Sequence, residues 1–291
     1  MELSLEIKIN INGLIVSHGN QKAKKSFIFL LKTGKMITME FNLMTSNIRF
    51  ENPADEINNW PKRKHIWSKI VDKYDIDILC TQEGRKNQLL DAESITKLKI
   101  VDGHRDWIPE RMYPSIFINL NKFSVLSSGD FWLSETPDIA GSKSFNSAFP
   151  RLCTWVEVKK DNNTFFVFNC HLDHVLDETR LSQSKVIAKQ IPIINKCNVP
   201  YILAGDFNES PENTVRSLFN EDLALNDPFN DLNIPDEGTH HRFDGKNKTS
   251  SRIDWILITR KFNCKKYEIV KDHDSNSYPS DHFPVFANLT L

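Results

Sequence analysis

A chain of 291 residues with 40% hydrophobic and 26% charged positions has the apolar content to bury a sizeable core, which excludes disorder and fibrous architectures. Thirty-seven basic residues stand against thirty-eight acidic ones, a net charge of -1, so a global electrostatic grip on nucleic acid is excluded and any such grip must come from a local patch. No run approaches the roughly 18 apolar residues of a membrane span, and the apolar stretch at 26–31 falls short of the roughly 7 to 15 residues of a secretory signal. A cytoplasmic protein without a membrane span is therefore expected, and a monomer is the working assumption. The five cysteines, Cys80, Cys153, Cys170, Cys197 and Cys264, are odd in number and sit mostly in apolar runs, the pattern of reduced core residues.

Residues 1–38 read apart from the rest. Apolar positions alternate from Leu3 to Ile9, and a Lys/Gln/Gly-rich stretch follows; an added strand, a flexible tail and a start codon misassigned upstream of Met36 or Met39 all fit. From residue 39 to 291 no linker or low-complexity segment interrupts the pattern, which predicts one domain. Short runs rich in Ile, Val, Phe and Trp predict strands over 40–48, 76–81, 115–119, 122–126, 130–134, 152–159, 164–170, 200–205, 252–259 and 284–290. Helices are predicted over 61–74, where Ile66, Ile70 and Tyr74 share a face behind Pro61, and over 177–196, where Ile187, Ile191 and Ile194 do. Ser210-Pro211-Glu212 reads as a further helix start. Many strands and few helices imply an α/β (α+β) architecture with sheets packed face to face and helices outside.

Polar groups fall at the ends of these strands. The run 201–205 delivers Asp206 and Asn208, which a period of two places on one side. The run 165–170 delivers His171, the run 76–81 delivers Gln82 and Glu83, and the first core strand ends near Asn47 and Arg49. Such a cluster at one sheet edge is where α/β proteins commonly bind ligands. Asp254 lies inside the apolar run Arg252-Ile253-Asp254-Trp255-Ile256, and a buried charge needs a partner. His282, in Ser280-Asp281-His282-Phe283-Pro284, is assigned as that partner, since a carboxylate on one ring nitrogen leaves the other free for substrate or water.

Taken in order, Asn47 in Ser-Asn-Ile-Arg-Phe, Gln82-Glu83, His171 in Asn-Cys-His-Leu-Asp-His, Gly205-Asp206-Phe207-Asn208, Arg252-Ile253-Asp254 and Ser280-Asp281-His282-Phe283-Pro284 resemble the endonuclease/exonuclease/phosphatase superfamily over about residues 40–291. Phe131-Trp132-Leu133-Ser134-Glu135-Thr136-Pro137 and Pro150-Arg151 resemble a branch near the deadenylase-like 3'-5' exonucleases. The resemblance implies a DNase I-like four-layered sandwich, two packed mixed β-sheets flanked by helices, and metal-dependent hydrolysis of a phosphate ester. It implies Asn47, Glu83 and Asp281 as hard oxygen ligands for Mg²⁺ or Mn²⁺, joined by Asp206 and Asn208 in an alternative arrangement. It assigns Asp206 to the attacking water, Asn208 to the phosphate or metal, His282 fixed by Asp254 to acid/base work or the transition state, and His171 to a nonbridging oxygen.

Arg49 and Arg151 are candidates for binding phosphate, with ordinary ion pairing as the other reading. Asp173, His174 and Arg180 either shape the pocket or cap a helix. One position departs from the family pattern: an acidic residue often precedes a Pro-Ile-Phe-Tyr-like strand there, and Met112 stands in its place. Glu110 reaching in, Tyr113 taking part, or a vacant role are the alternatives, and the partner of His171 stays open. The exonuclease-like motifs favour a nucleic acid substrate, RNA or DNA, with Trp60, Trp107, Tyr113, Phe145 and Trp255 as possible stacking platforms. The near-zero net charge favours the alternative, a phosphatase or phosphodiesterase acting on a small phosphorylated metabolite. A binding protein with a dead site is disfavoured by the intact ligand types.

Overall fold

Strands rich in Ile, Val, Leu and Phe with few polar interruptions suit sheets buried on both faces, and the computed structural model bears this out for the residues it describes, 7–10, 13–16, 38–246, 249, 251–275 and 277–291. The chain divides into two units, Met1–Thr38 and Met39–Leu291. In the first, β1 (Ile7–Asn10) and β2 (Gly13–Val16) pair antiparallel. Ile7, Lys8 and Ile9 of the predicted alternating segment fall in β1, while its remainder and the Lys/Gln/Gly-rich stretch lie outside the described residues.

The second unit holds two six-stranded sheets. One contains β3 (Glu40–Asn47), β4 (Ile78–Gly84), β5 (Lys99–Ile100), β6 (Tyr113–Ile118), β13 (Asn263–Ile269) and β14 (Val285–Thr290), in the order β13-β14-β3-β4-β6-β5. The other contains β7 (Ser124–Trp132), β8 (Leu152–Lys160), β9 (Asn163–His171), β10 (Tyr201–Asp206), β11 (Leu225–Asn226) and β12 (Asp254–Thr259), in the order β11-β12-β10-β9-β8-β7. Both are mixed: β3 and β4 run parallel, as do β9 and β10, and their other neighbours are antiparallel. Helices α1 (Trp60–Lys73), α2 (Lys86–Ser94), α3 (Asp177–Ile194), α4 (Thr214–Leu223) and the short α5 (Pro228–Asp231) complete the unit.

Alternation along each strand builds the layers. Phe41, Leu43, Ile78 and Cys80 of one sheet pack against Phe165, Val167, Ile202 and Ile256 of the other, forming the interior of the sandwich. The intervening residues point outward: Met44, Leu79 and Phe117 meet Trp67 and Ile70 of α1, and Phe168, Leu203 and Leu257 meet Ile187 of α3 and Phe219 of α4. The result is the expected four layers, helix, sheet, sheet, helix, with apolar surface removed from water at three interfaces. Gly205 marks a close approach, because a Cβ there would lie 2.1 Å from the Cys170 carbonyl oxygen, and its φ of +148° suits glycine. The five cysteines are free, with Cys80, Cys153 and Cys170 buried.

Several local expectations change. The strands predicted over 122–126 and 130–134 are one, β7, because pairing with β8 from Ser124–Lys159 to Trp132–Leu152 carries the ladder through polar residues, with an irregularity between Val125 and Ser127. Ser210-Pro211 does not start a helix; α4 begins at Thr214, where the Glu209 carboxylate accepts from the Val215 N–H at 3.0 Å. The edge strand β13, with exposed Lys265 and Lys266, and the helix α2 lacked the apolar content that reveals such elements in sequence.

Candidate active site

The topology brings the polar strand ends together. Asn47 closes β3, Glu83 lies at the end of β4, and His171 and Asp206 close β9 and β10, where they sit opposite each other in register. β12 runs antiparallel to β10, so its first residue, Asp254, is opposite Asp206. β14 runs antiparallel to β3, so the segment entering it, Asp281-His282, arrives at the same edge. Because the sheets pack face to face, one edge collects residues from both, and the Asn47 Nδ2 donates across the sandwich to Asp206 Oδ2 at 2.9 Å.

The groups at this edge hold one another. Asn47 Nδ2 also donates to Glu83 Oε1 at 3.2 Å, and the Phe50 N–H donates to Glu83 Oε2 at 3.2 Å. The Asn208 N–H donates to Asp206 Oδ1 at 2.9 Å, and the Asn208 amide donates to the Leu172 carbonyl at 3.1 Å. His171 Nε2 stands 3.4 Å from Asp206 Oδ2, and His282 Nδ1 lies 2.9 Å from Asp254 Oδ2. Arg49, Glu83 and Asn208 all have φ between +49° and +68°, a conformation costing a non-glycine residue about 1–2 kcal/mol.

Burial and neighbouring charge shape the titration of these groups. Burial, reinforced by Asp254, pushes the Asp206 carboxyl up to about 7 against the opposing effects of His282 and Asn47. Burial alone would lower His282, but the charge and hydrogen bond of Asp254, with help from Asp206 and Asp281, raise it to about 10. Burial, then the charges of Arg151, His282 and His174, holds His171 well below its usual range, so it is neutral at pH 7. Asp281 is lowered, because His282, Arg49, His240 and Arg63 outweigh its burial. The edge thus offers an imidazolium, a neutral imidazole and a carboxyl poised near neutrality, a separation of titrations that acid/base chemistry requires.

The donors also suit a hard divalent cation. Glu83 and Asp281 are carboxylates that line the cavity, each with hydrogen bonds from neutral donors and, among the described residues, neither closer than 4.0 Å to a cation. Oxygen donors without thiolates favour Mg²⁺- or Mn²⁺-type ions. Ligand atoms of His240, Asp281 and His282 lie within 4.8 Å of one another, as do those of Asp206, Asp254 and His282.

Of the residues singled out in sequence, Arg49, Glu83, Glu110, Met112, Tyr113, Arg151, His171, His174, Asp206, Asn208, Asp281 and His282 line one cavity of about 440 Å³. Asn47 and Asp254 lie behind it, bonded to Glu83, Asp206 and His282. Arg180 is not brought to the cavity: it is buried and its Nε donates to Glu209 at 2.9 Å. Asp173 is buried too, accepting from Ala148, Ser147 and Val175. Glu110 points to Arg85 at 3.4 Å with its side chain 84% exposed, and the Tyr113 hydroxyl accepts from the Ile108 N–H. The carboxylate within reach of His171 is Asp206. Trp60 packs on Trp67 and Trp255 stacks on Phe207 at 4.3 Å, both fully buried, so neither is a stacking platform. Trp107 packs edge-on against Tyr113, and the Phe145 carbonyl accepts from Thr179.

Other contributors were given no role by the sequence, although Gln82 stood in one of its motifs. Gln82 donates to Asn169 Oδ1 at 2.7 Å, and Asn169 donates to the Thr81 and Ser115 carbonyls, tying the sheets together under the site. Arg63 of α1, buried, donates to the carbonyls of Arg49 and Pro279, fixing two loops that carry site residues. Thr239 accepts from the Ile253 N–H, and its carbonyl accepts from the Phe283 N–H, clamping the strands that hold Asp254 and His282. A polar residue within an apolar run, as with Gln82 and Asn169, was the available signal.

The sequence pattern described as the Endonuclease/Exonuclease/phosphatase family matches residues 44–282. Among curated proteins none matches. Among solved structures, an endonuclease/exonuclease/phosphatase family protein from Bacteroides thetaiotaomicron is 29% identical, covering 87% of this chain and 98% of its own at a TM-score of 0.80. A mannosyl-6-phosphatase from the same organism is 29% identical, covering 86% of this chain and 100% of its own at a TM-score of 0.78. The catalytic domain of human Nocturnin, 20% identical over 86% of this chain and 94% of its own, has a TM-score of 0.66, a likeness of fold alone.

Proposed function

This chain belongs to the endonuclease/exonuclease/phosphatase family, whose members are hydrolases of phosphate esters, and from that premise we propose that it is a divalent-metal-dependent phosphatase acting on a small phosphorylated metabolite. The observation that carries the reading is the meeting of Asp206 and the Asp254–His282 pair, with Glu83 and Asp281 beside them, at a cavity of about 440 Å³, a volume within the usual range for a small ligand. The burial of Trp60 and Trp255 removes two platforms for stacked bases. The 29% identity with a mannosyl-6-phosphatase supports a sugar phosphate as the substrate class.

In this reading Glu83 and Asp281, with Asn47, would hold Mg²⁺ or Mn²⁺, which would supply charge neutralisation at the phosphoryl oxygens. Asp206, its carboxyl raised by burial and by Asp254, orients the attacking water and takes its proton. Asn208, fixed on the Leu172 carbonyl, keeps its amide at the phosphate. His282, held as imidazolium by Asp254, stabilises the charge that develops on the phosphoryl group, and neutral His171 donates to a nonbridging oxygen. Arg151 adds a guanidinium in the field of Glu83 and Asp206.

A nuclease is the second reading. Phe149, 46% exposed and stacked on the His174 ring, is a platform on which a base could rest. An activity panel with Mg²⁺ and Mn²⁺ over hexose phosphates, single-stranded RNA, and single- and double-stranded DNA separates the two, with Glu83→Gln as the control. Phosphate release from a hexose phosphate, absent in Glu83→Gln and accompanied in that variant by weaker Mg²⁺ binding, is expected. Stepwise shortening of RNA or DNA with intact sugar phosphates would replace the phosphatase reading with the nuclease one.

A further inference from the structure

The cavity has a wall that the chemistry above leaves unused. Arg85 follows the end of β4 and Arg111 precedes β6, and those ends meet at the Gly84–Tyr113 pair. Both arginines line the cavity, as does the apolar Met112 between Arg111 and Tyr113. The Nε atoms of Arg85, Arg111 and Arg151 are shielded from solvent without a hydrogen-bond partner among the described residues. A donor with no access to solvent has none to a ligand either, so an anion entering the cavity would meet the terminal nitrogens of these guanidiniums.

Charge pairing is uneven in the same place, where Arg49, Arg85, Arg111 and Arg151 share the cavity with Glu83, Glu110, Asp206 and Asp281. Arg49 is neutralised by Asp55, two hydrogen bonds of 3.1 and 3.2 Å. Arg85 meets Glu110 at 3.4 Å, but that carboxylate is 84% exposed, and such a solvated pair contributes little. Arg111 and Arg151 form no ion pair among the described residues. Arg151 lies in the field of Glu83 and Asp206, where the phosphatase reading assigns it to the phosphate being cut. Arg85 and Arg111 have no such duty.

Phe50 fixes the spacing. Its N–H donates to Glu83 Oε2 at 3.2 Å, and its ring carries the Arg85 guanidinium 5.0 Å from the centroid. Phe50 therefore links the hydrolytic Glu83 carboxylate to the Arg85 guanidinium through a single residue.

We propose that Arg85 and Arg111 form a second anion subsite, so that the preferred substrate is a small phosphate monoester bearing a further phosphate or carboxylate on the same molecule. This rests on the phosphatase reading for the chemistry, but the subsite is defined by its own residues. Guanidinium forks match either anion bidentately.

The test compares kcat/KM for glucose 1,6-bisphosphate, 6-phosphogluconate and glucose 6-phosphate in Mg²⁺, in the wild type and in the Arg85→Gln/Arg111→Gln double variant. The wild type is expected to favour at least one of the two-anion substrates tenfold or more over glucose 6-phosphate, and to tell phosphate from carboxylate by which of them gains. In the double variant that ratio falls toward one, and Arg111→Lys retains part of it. A wild-type ratio near one overturns the subsite, as does a preference that survives in a double variant melting at the wild-type temperature. Should the double variant fail to fold, Arg111→Gln alone, at a half-buried position, carries the comparison. If none of the three sugars is hydrolysed, the phosphatase reading falls, and calorimetric titration of the same sugars still decides the subsite. Tighter binding of a two-anion sugar, lost on substitution, keeps it, and equal binding of all three removes it.

Discussion

Replacing Asp254 with asparagine isolates the charge that holds His282 in its working form. The two side chains are buried, 2.9 Å apart, with side-chain exposures of 7% and 1%. The rise of His282 from 6.5 to about 10 corresponds, at about 1.4 kcal/mol per tenfold change in proton affinity, to about 5 kcal/mol of preference for the imidazolium. This is an upper bound, since burying both charges cost hydration. The folded value lies above the unfolded one, so this contribution to stability is complete below about pH 6.5 and is lost as pH rises through about 10. In Asp254→Asn, burial is opposed only by the lesser effects of Asp206 and Asp281, and the preference of His282 for the imidazolium falls. The substitution is nearly isosteric, and its cost in stability is about 1–3 kcal/mol, while the rate at pH 7 falls about 10²- to 10⁴-fold. The assay is kcat/KM against pH together with the melting temperature from pH 6 to 10. The alkaline fall in wild-type melting temperature should be smaller in the variant. A rate profile and melting curve that both match the wild type would refute the assignment of Asp254 as the group that charges His282.

Three further outcomes follow from the packing. Asn169→Leu removes the acceptor of Gln82 and the donor to two carbonyls, and urea unfolding should show a loss of about 2–4 kcal/mol with the rate falling as the sheets lose register under the site. Asp130 is held well below the usual carboxylate range, since Arg105, His104 and Thr154 outweigh its burial. Because its folded value is depressed, its contribution is present above the unfolded value of 3.8 and lost as pH falls below it. Asp130→Asn should thus cost about 3–5 kcal/mol at pH 7 by stranding the buried Arg105 charge, with the gap to wild type narrowing below pH 4 in acid melts. A chain beginning at Met39 should keep its activity, the site residues all lying within Met39–Leu291; an insoluble product would make the first unit structural.

Hydrophobic alternation and interrupted apolar runs are local signals, so the layered α/β class and many residues of the candidate site were legible from the chain alone. Asp206 after 201–205, His171 after 165–170 and Asp254 within 252–259 stand out as polar residues where burial demands apolar ones. The strand β13 and the unity of β7 were hidden, since an edge strand takes its order from the neighbour it pairs with and not from its own composition. The rest required the tertiary structure. Arg49, Arg151 and Arg180 are alike as letters, yet Arg49 and Arg151 line the cavity while Arg180 is consumed by Glu209. Trp60 and Trp255 proved to be core, and Arg85 and Arg111, unremarkable in sequence, came together only because β4 and β6 meet at Gly84 and Tyr113. Whether a charge is neutralised depends on groups distant along the chain and adjacent in space, so residue type is legible in one dimension and partnership only in three.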